Sequence, residues 1–202
     1  MITDGLTPLT FLLFIAVVLG VAGAAVLGGF ALLLKRGDVA RLIGAVALGA
    51  VDIYVALALI AGWASKDRVL ARGQEKHICE VDCHLAYSVV GAQTRGTHCT
   101  VTVKVRFDET TISPHRGMAP LRPNSRYVAL VDDSGRSYEA PSDGLRRPLV
   151  PGESYTTDLA FDVAPDARDL RLVLRNDDPE TRLMIGHENS FLHAKTTFRI
   201  GS

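Results

Sequence analysis

The chain has 202 residues, and its 22 basic and 22 acidic side chains give a formal net charge of zero. The charges are unevenly distributed, because only three of each sign occur in the first 65 residues. The other 19 of each sign are mixed along the remainder without a long basic block, which argues against nucleic acid as a partner.

Two long apolar runs occupy residues 9–34 and 42–63. About 20 apolar residues cross a bilayer core of about 30 Å, and both runs reach that length. The first run is not a typical signal peptide, because no basic residue precedes it, it is too long, and a second run follows. We therefore expect residues 1–64 to form a hairpin of two transmembrane helices, with the lipid bilayer as a partner.

The orientation of this hairpin is predicted from the flanking charges. The short connection holds Lys35, Arg36 and Arg41, which favours the cytoplasm, whereas the N-terminal tail has no basic residue. Further basic residues after the second run weaken this bias, but large domains translocate largely regardless of charge. We expect a multi-pass protein of the bacterial inner membrane whose C-terminal domain is periplasmic or extracellular.

Small residues recur at helical spacing in both runs, which lets helices approach closely. They predict either an antiparallel hairpin packed through its small faces or a docking surface for a larger membrane complex. These positions are Gly20, Ala24 and Gly28 in the first run, and Ala45, Gly49, Asp52 and Ala56 in the second.

Asp52 lies near the middle of an apolar run, where a charged side chain costs roughly 2.5–3.5 kcal/mol on insertion scales. Three interpretations are open. Asp52 is neutral and hydrogen-bonded inside the hairpin, or it pairs with a partner subunit, or it belongs to a proton or ion path.

Beyond the hairpin the pattern changes to short alternating strands separated by turn residues. Residues 65–84 are predicted to be a juxtamembrane linker, and residues 85–202 an immunoglobulin-like, antiparallel β-sandwich. The predicted strands are residues 85–90, 100–107, 126–132, 155–163, 169–174 and 191–200.

Three successive motifs carry a family resemblance. They are Asp132-Asp133-Ser134-Gly135-Arg136-Ser137-Tyr138, Leu149-Val150-Pro151-Gly152-Glu153 and Leu159-Ala160-Phe161-Asp162-Val163. In this order they resemble the telokin-like, immunoglobulin-fold domains of bacterial lipoproteins and secreted antigens, a family largely without assigned function. The resemblance implies the fold and gives no catalytic residues.

Potential metal-binding and reactive side chains are most concentrated in the run from His77 to His84, which contains Cys79 and Cys83. In an extended strand these two cysteines are roughly 13 Å apart, too far for a disulfide, but a helical turn or a tight loop would bring them together. Cys99 is a further candidate partner for either of them.

The alternative for this cluster is a copper or zinc site, because thiolate and imidazole suit both metals. The candidate ligands are Cys79, Cys83, His84, His187 and His193. The Cys-x3-Cys spacing and the two helices are similar to the copper-binding subunit of cytochrome oxidases. However, here the pair precedes the sandwich and no Met follows at the spacing of that family.

The sequence contains no convincing catalytic motif and implies no cofactor. We therefore expect a non-enzymatic, membrane-anchored interaction protein, an accessory subunit of an envelope or respiratory complex. The alternative is a metal-binding or redox protein that uses the Cys79/Cys83 cluster.

Overall fold

The computed structural model describes residues 7–78, 84–111, 117–123, 125, 127–176, 179–191 and 193–201. The chain divides into two compact units. One, the helical unit, combines Asp4–Lys66 with Pro179–Ala194. The other, the sandwich unit, comprises Asp67–Asp178 and Lys195–Ser202.

The helical unit contains two long apolar helices, α1 (Thr7–Leu33) and α2 (Gly37–Ala64), as the sequence predicts. Lys35 takes a left-handed conformation with φ of 55° and ends α1. The Arg36 amide then donates to the Ala31 carbonyl and the Lys35 amide to Leu32, so the turn satisfies carbonyls at the helix end. α2 begins earlier than predicted, since Asp38 in its first turn suits the helix dipole.

The sandwich unit consists of two sheets. The first sheet has five strands in the order β1-β9-β8-β5-β6, and the second has four in the order β2-β3-β4-β7. The strand bounds are β1 Arg68–Leu70, β2 Lys76–Ile78, β3 Leu85–Arg95, β4 His98–Phe107, β5 Tyr127–Val131, β6 Ser137–Glu139, β7 Ser154–Asp162, β8 Arg171–Arg175 and β9 Thr196–Arg199.

Strand β4 shows how the sequence pattern forms the core. Its odd-numbered residues from Cys99 to Phe107 are buried, while its even-numbered residues are exposed or half-buried. Leu130 and Leu172 bring the first sheet into the same core cluster, so one core lies between the two sheets. The predicted β-sandwich is confirmed at this level.

Two details of the sandwich differ from prediction. Strands β1 and β2 lie where the sequence predicts a linker, and β1 pairs with β9 in parallel, so the sandwich is not purely antiparallel. The Lys195 amide donates to the Asp67 carboxylate at 2.7 Å, and the Arg68 amide donates to the Lys195 carbonyl. These bonds hold β1 and β9 side by side. The sequence does not predict β1 and β2, because a strand of three residues is too short to show an alternating pattern.

The last predicted strand, residues 191–200, is also shorter in the structure. Only Thr196–Arg199 pair as β9, and the stretch up to Ala194 belongs to the helical unit. Phe191 lies beside the two helices instead of in a sheet.

Candidate functional site

The two helices pack against each other through one face of each. On α2 the half-buried positions include Ile43, Ala47, Tyr54, Ala58 and Ala61, which recur at helical spacing. On α1 they include Phe14, Val17, Ala24 and Gly28, followed by the buried Ala31.

Among the predicted glycines Gly20, Gly28 and Gly49, Gly28 has a close neighbour across this interface. A Cβ atom placed there would lie 3.9 Å from the Cγ2 atom of Ile43, which is ordinary contact. A Cβ atom at Gly20 or Gly49 would meet nothing within 4 Å. The hairpin itself therefore does not need glycine at either position.

The predicted stripe on α2 lies on the opposite side of the helix. Ala45, Asp52 and Ala56 are exposed. Successive residues of an α-helix are rotated by about 100° around its axis. By this rotation the three residues and Gly49 lie about 180° around the helix from the face that packs on α1. The structure therefore does not bring the two predicted small-residue stripes together. We call the four residues Ala45, Gly49, Asp52 and Ala56 the outward face.

Asp52 is the polar member of the outward face. Its side chain is exposed and directed away from α1, whereas Tyr54, two residues later, is half-buried. This placement does not fit the interpretation that Asp52 is hydrogen-bonded inside the hairpin. Pairing with a partner and a role in an ion path are the two interpretations that remain.

The segment between β8 and β9 is a part of the helical unit that sequence reasoning missed. It contains a 3-10 helix, Pro179–Leu183, and the Tyr54 hydroxyl donates to the Leu183 carbonyl at 2.8 Å. At its other end the Ala194 amide donates to the Ser65 hydroxyl at 2.8 Å. We call residues 179–194 the docked segment, since both of these bonds tie it to α2 or to the residue after it.

The candidate metal ligands that the structure describes belong to two different units. His84 belongs to the sandwich unit, where its ring stacks on Phe107 at 5.6 Å and its Nδ1 lies 2.6 Å from the Thr111 hydroxyl. His187 is buried and His193 half-buried, both in the docked segment.

The two remaining candidate ligands, Cys79 and Cys83, lie outside the described residues. Within the described ranges, no group of three His, Cys, Asp or Glu side chains is placed to hold a metal ion. A site that includes Cys79 and Cys83 therefore stays a prediction.

Cys99 is a free thiol in the core of the sandwich, with 1% of its surface exposed. The Thr94 hydroxyl lies 3.4 Å from its sulfur atom. No disulfide involves Cys99 within the described residues, and β4 directs its side chain into the apolar core. Its two predicted partners lie outside those residues, so a disulfide of Cys99 stays a prediction. A Cys79–Cys83 bond lies outside the described residues and stays a prediction.

A cavity of about 510 Å³ opens beside β2 in the sandwich unit, lined in part by the charged Glu75, Arg106 and Asp108. Arg106 donates to both carboxylate oxygens of Glu75, at 2.9 and 2.7 Å, and to Asp108 at 3.2 Å. Burial opposes ionisation of Asp108, but hydrogen bonds from Thr110 and Arg106 outweigh it and lower its pKa to about 2. Hydrogen bonds from Arg106 also lower the pKa of Glu75. Both carboxylates are therefore ionised near neutral pH and are not proton donors there.

The first resemblance motif forms one hydrogen-bonded turn. The buried Asp132 carboxylate accepts bonds from the Ser134 amide and hydroxyl, from Arg136, and from the Tyr138 hydroxyl at 2.9 Å. The spacing Asp-x-x-Gly-x-x-Tyr thus has a structural cause, since Gly135 has φ of 82° at the tight bend. The motif stabilises the fold and is not a binding site by itself.

Comparison with known proteins gives little further information. No protein-family model matches the chain, and no curated protein matches it. Among solved structures the chain is similar to MPT63, a secreted protein of Mycobacterium tuberculosis, over 67% of this chain and 99% of that chain. The sequence identity is 11% and the TM-score 0.45, values too low to carry an argument. The telokin-like assignment therefore stays a prediction.

Proposed function

We propose that this protein is a membrane-anchored, non-enzymatic interaction protein, whose hairpin crosses the bilayer and docks a partner subunit through the outward face of α2. Both helices are long and apolar enough to span a membrane. Their large side chains are widely exposed, for example Val26, Leu33 and Trp63 at 71%, 81% and 91%. An apolar surface of this extent requires lipid or protein to cover it.

The observation that carries the docking proposal is the position of Asp52. It is exposed on an apolar helix, and its face is the one turned away from α1. A carboxylate that faced lipid alone at this depth would cost several kcal/mol, so such residues face protein or a water-filled cavity. Ala45, Gly49 and Ala56 flank Asp52 with small side chains, which lets a neighbouring helix approach closely.

The partner in this proposal is another transmembrane helix that carries a basic or hydrogen-bonding side chain at the depth of Asp52. The proposed setting is the inner membrane of a bacterium, as part of an envelope or respiratory complex, with the sandwich unit on the outer side. The basic connection around Lys35 and Arg36 supports this orientation.

Substitution of Asp52 tests the proposal. Asp52→Leu and Asp52→Asn are compared with wild type for the proteins that co-purify from native membranes in mild detergent. The matched control is Asp38→Asn, which removes an exposed carboxylate that pairs with Arg41 outside the apolar part of α2. We expect loss of most of the partner with Asp52→Leu, partial loss with Asp52→Asn, and none with the control. Full recovery of the partner with Asp52→Leu would contradict the docking role.

The alternative proposal, a copper or zinc site at Cys79 and Cys83, rests on the sequence pattern. Metal analysis of protein purified without chelator tests it, with Cys79→Ser/Cys83→Ser as the control. Stoichiometric metal that the double variant loses would favour this alternative.

A further inference from the structure

The docked segment and the two helices line a half-open cavity of about 320 Å³. Phe14 and Val55 line it from the helices, and Leu183 and Phe191 line it from the docked segment. Its volume lies at the lower end of the range of about 300–1,000 Å³ typical of ligand sites. The walls are almost wholly apolar, with Arg182 as the charged residue among them.

The position of this cavity along the hairpin follows from one hydrogen bond. Tyr54, which donates to the Leu183 carbonyl, is ten residues before Ala64, the last residue of α2. At 1.5 Å per residue this is about 15 Å from the helix end. The 28-residue helix is about 42 Å long, so it exceeds the hydrocarbon core of about 30 Å by only about 6 Å at each end. A spanning hairpin therefore places the cavity within the hydrocarbon of the leaflet near Ala64.

The backbone of the docked segment suits this depth. Irregular backbone is tolerated in a membrane only where its polar groups are satisfied within the protein. Here the Ser190 amide donates to the His187 carbonyl at 2.9 Å, and the Phe191 amide donates to the Arg182 carbonyl at 3.2 Å. The Asn189 amide donates to the ring of His187 at 3.1 Å.

Two large side chains that this segment exposes are apolar, whereas the charged Arg182 and Glu188 are half-buried. Leu183 is 57% exposed and Phe191 is 69% exposed, and both also line the cavity. Arg182 precedes Leu183 directly, and a guanidinium is a preferred partner of phosphate oxygens. Apolar walls beside one cationic side chain complement an acyl chain attached to a phosphate-bearing headgroup.

From this geometry we propose that a phospholipid of the surrounding bilayer occupies the cavity, with an acyl chain between the helices and the docked segment. In this arrangement Arg182 extends its long side chain from the cavity to the lipid phosphate at the headgroup edge of the hydrocarbon. This inference rests on the membrane placement proposed above. It adds a specific lipid site that is separate from the outward face of α2.

The first test measures contact with acyl chains. Trp63 is the single tryptophan, so Trp63→Phe provides a background for one new tryptophan at a time. The three probes are Phe191→Trp at the cavity, Leu48→Trp on the exposed surface of α2, and Met118→Trp on the sandwich unit. Each variant is placed in nanodiscs of phosphatidylglycerol with brominated acyl chains, and fluorescence quenching is recorded.

The three probes separate the two proposals. We expect strong quenching of Leu48→Trp and Phe191→Trp and none of Met118→Trp. Quenching of Leu48→Trp without Phe191→Trp would overturn the lipid site and leave the membrane placement intact. Absence of quenching at both positions would overturn both.

The second test counts the lipid that stays bound. Val55→Trp fills the cavity, Arg182→Gln removes its charge, and Leu48→Trp adds the same bulk two turns away on a similar face of α2 as the control. Native mass spectrometry after transfer from phosphatidylglycerol nanodiscs to detergent gives the number of retained lipids. We expect both cavity variants to lose one lipid that wild type and the control keep. Equal numbers in all four proteins would overturn the proposal, and Arg182→Gln keeps the test valid if Val55→Trp does not fold.

Discussion

At the scale of single residues, the sandwich unit depends on carboxylates that are held ionised. Asp108 and Asp132 are buried and accept several hydrogen bonds each. At Asp132 burial again opposes ionisation, but bonds from Ser134 and Arg136 lower the pKa below the ordinary value. Because both pKa values are depressed on folding, protonation of these groups favours the unfolded chain.

This linkage predicts acid sensitivity. The contribution of Asp108 is fully present above its ordinary pKa of 3.8 and is lost as the pH falls towards about 2. We expect faster hydrogen exchange in β4 and β5 as the pH is lowered from 5 to about 2, after correction for intrinsic exchange rates. Asp108→Asn should weaken this pH dependence. Asp133→Asn, which changes an exposed carboxylate next to Asp132 in the chain, should not. An unchanged profile in Asp108→Asn would contradict the assignment.

Tyr54 is the residue that links the docked segment to α2. Tyr54→Phe removes one hydrogen bond, worth about 1 kcal/mol, and leaves the ring in place. We expect roughly fivefold faster hydrogen exchange in residues 179–191, with no change in β4 or β7. Equal acceleration throughout the chain would indicate general destabilisation instead of a local link.

At the scale of elements, α2 has two faces with different surroundings. One packs on α1, and the outward face contains Gly49, where a Cβ atom would meet nothing within 4 Å. Alanine has a higher helix propensity than glycine by about 1 kcal/mol, so the isolated hairpin should not lose stability on substitution.

Because Gly49 lies on the outward face and not on the face that packs on α1, its substitution should affect the partner and not the hairpin. We expect Gly49→Ala to preserve the hairpin but to weaken co-purification of the partner, because the added methyl group separates the two helices. Gly44→Ala is the matched control, since its Cβ atom also meets nothing within 4 Å and it lies off the outward face. Equal partner recovery from both variants would argue against close packing at Gly49.

The elements also show what the sequence could predict. β4 and β7 follow from alternation over nine or more residues, and the Asp132 turn follows from its Asp-x-x-Gly-x-x-Tyr spacing. β1 and β2 are three residues each, too short for a periodic signal. The docked segment has no local pattern either, because its position depends on Tyr54 and Ser65, which are about 129 residues away in the chain. Long-range contacts of this kind are not encoded in local periodicity.

For the candidate site, the sequence identified Asp52 and its small neighbours but not the direction in which they face. Equal spacing of small residues on both helices suggested mutual packing. A different set, which includes Ile43, Ala47 and Tyr54, takes that position on α2. Spacing alone does not determine which side of a helix faces its neighbour, because alanine lies on both sides of α2.

At the scale of the whole molecule, the two units are not continuous in sequence. The docked segment belongs to the helical unit, although it lies between β8 and β9 of the sandwich unit in the chain. A truncated chain that starts at Asp67 keeps all nine strands but loses the partners of the docked segment. We expect its residues 179–194 to become sensitive to protease while the strands stay protected, as limited proteolysis with mass spectrometry would show. Protection equal to that of the full chain would mean that the sandwich alone holds the segment.

The central claim is that the outward face of α2 contacts another protein within the membrane. Photo-crosslinking along α2 in the native membrane tests it most directly, with the photoreactive residue placed in turn at Ala45, Gly49 and Ala56 and, as controls, at Ile43 and Ala47. We expect adducts with the same partner protein from the first three positions and none from the two that face α1. Adducts with lipid alone at Ala45, Gly49 and Ala56 would contradict it.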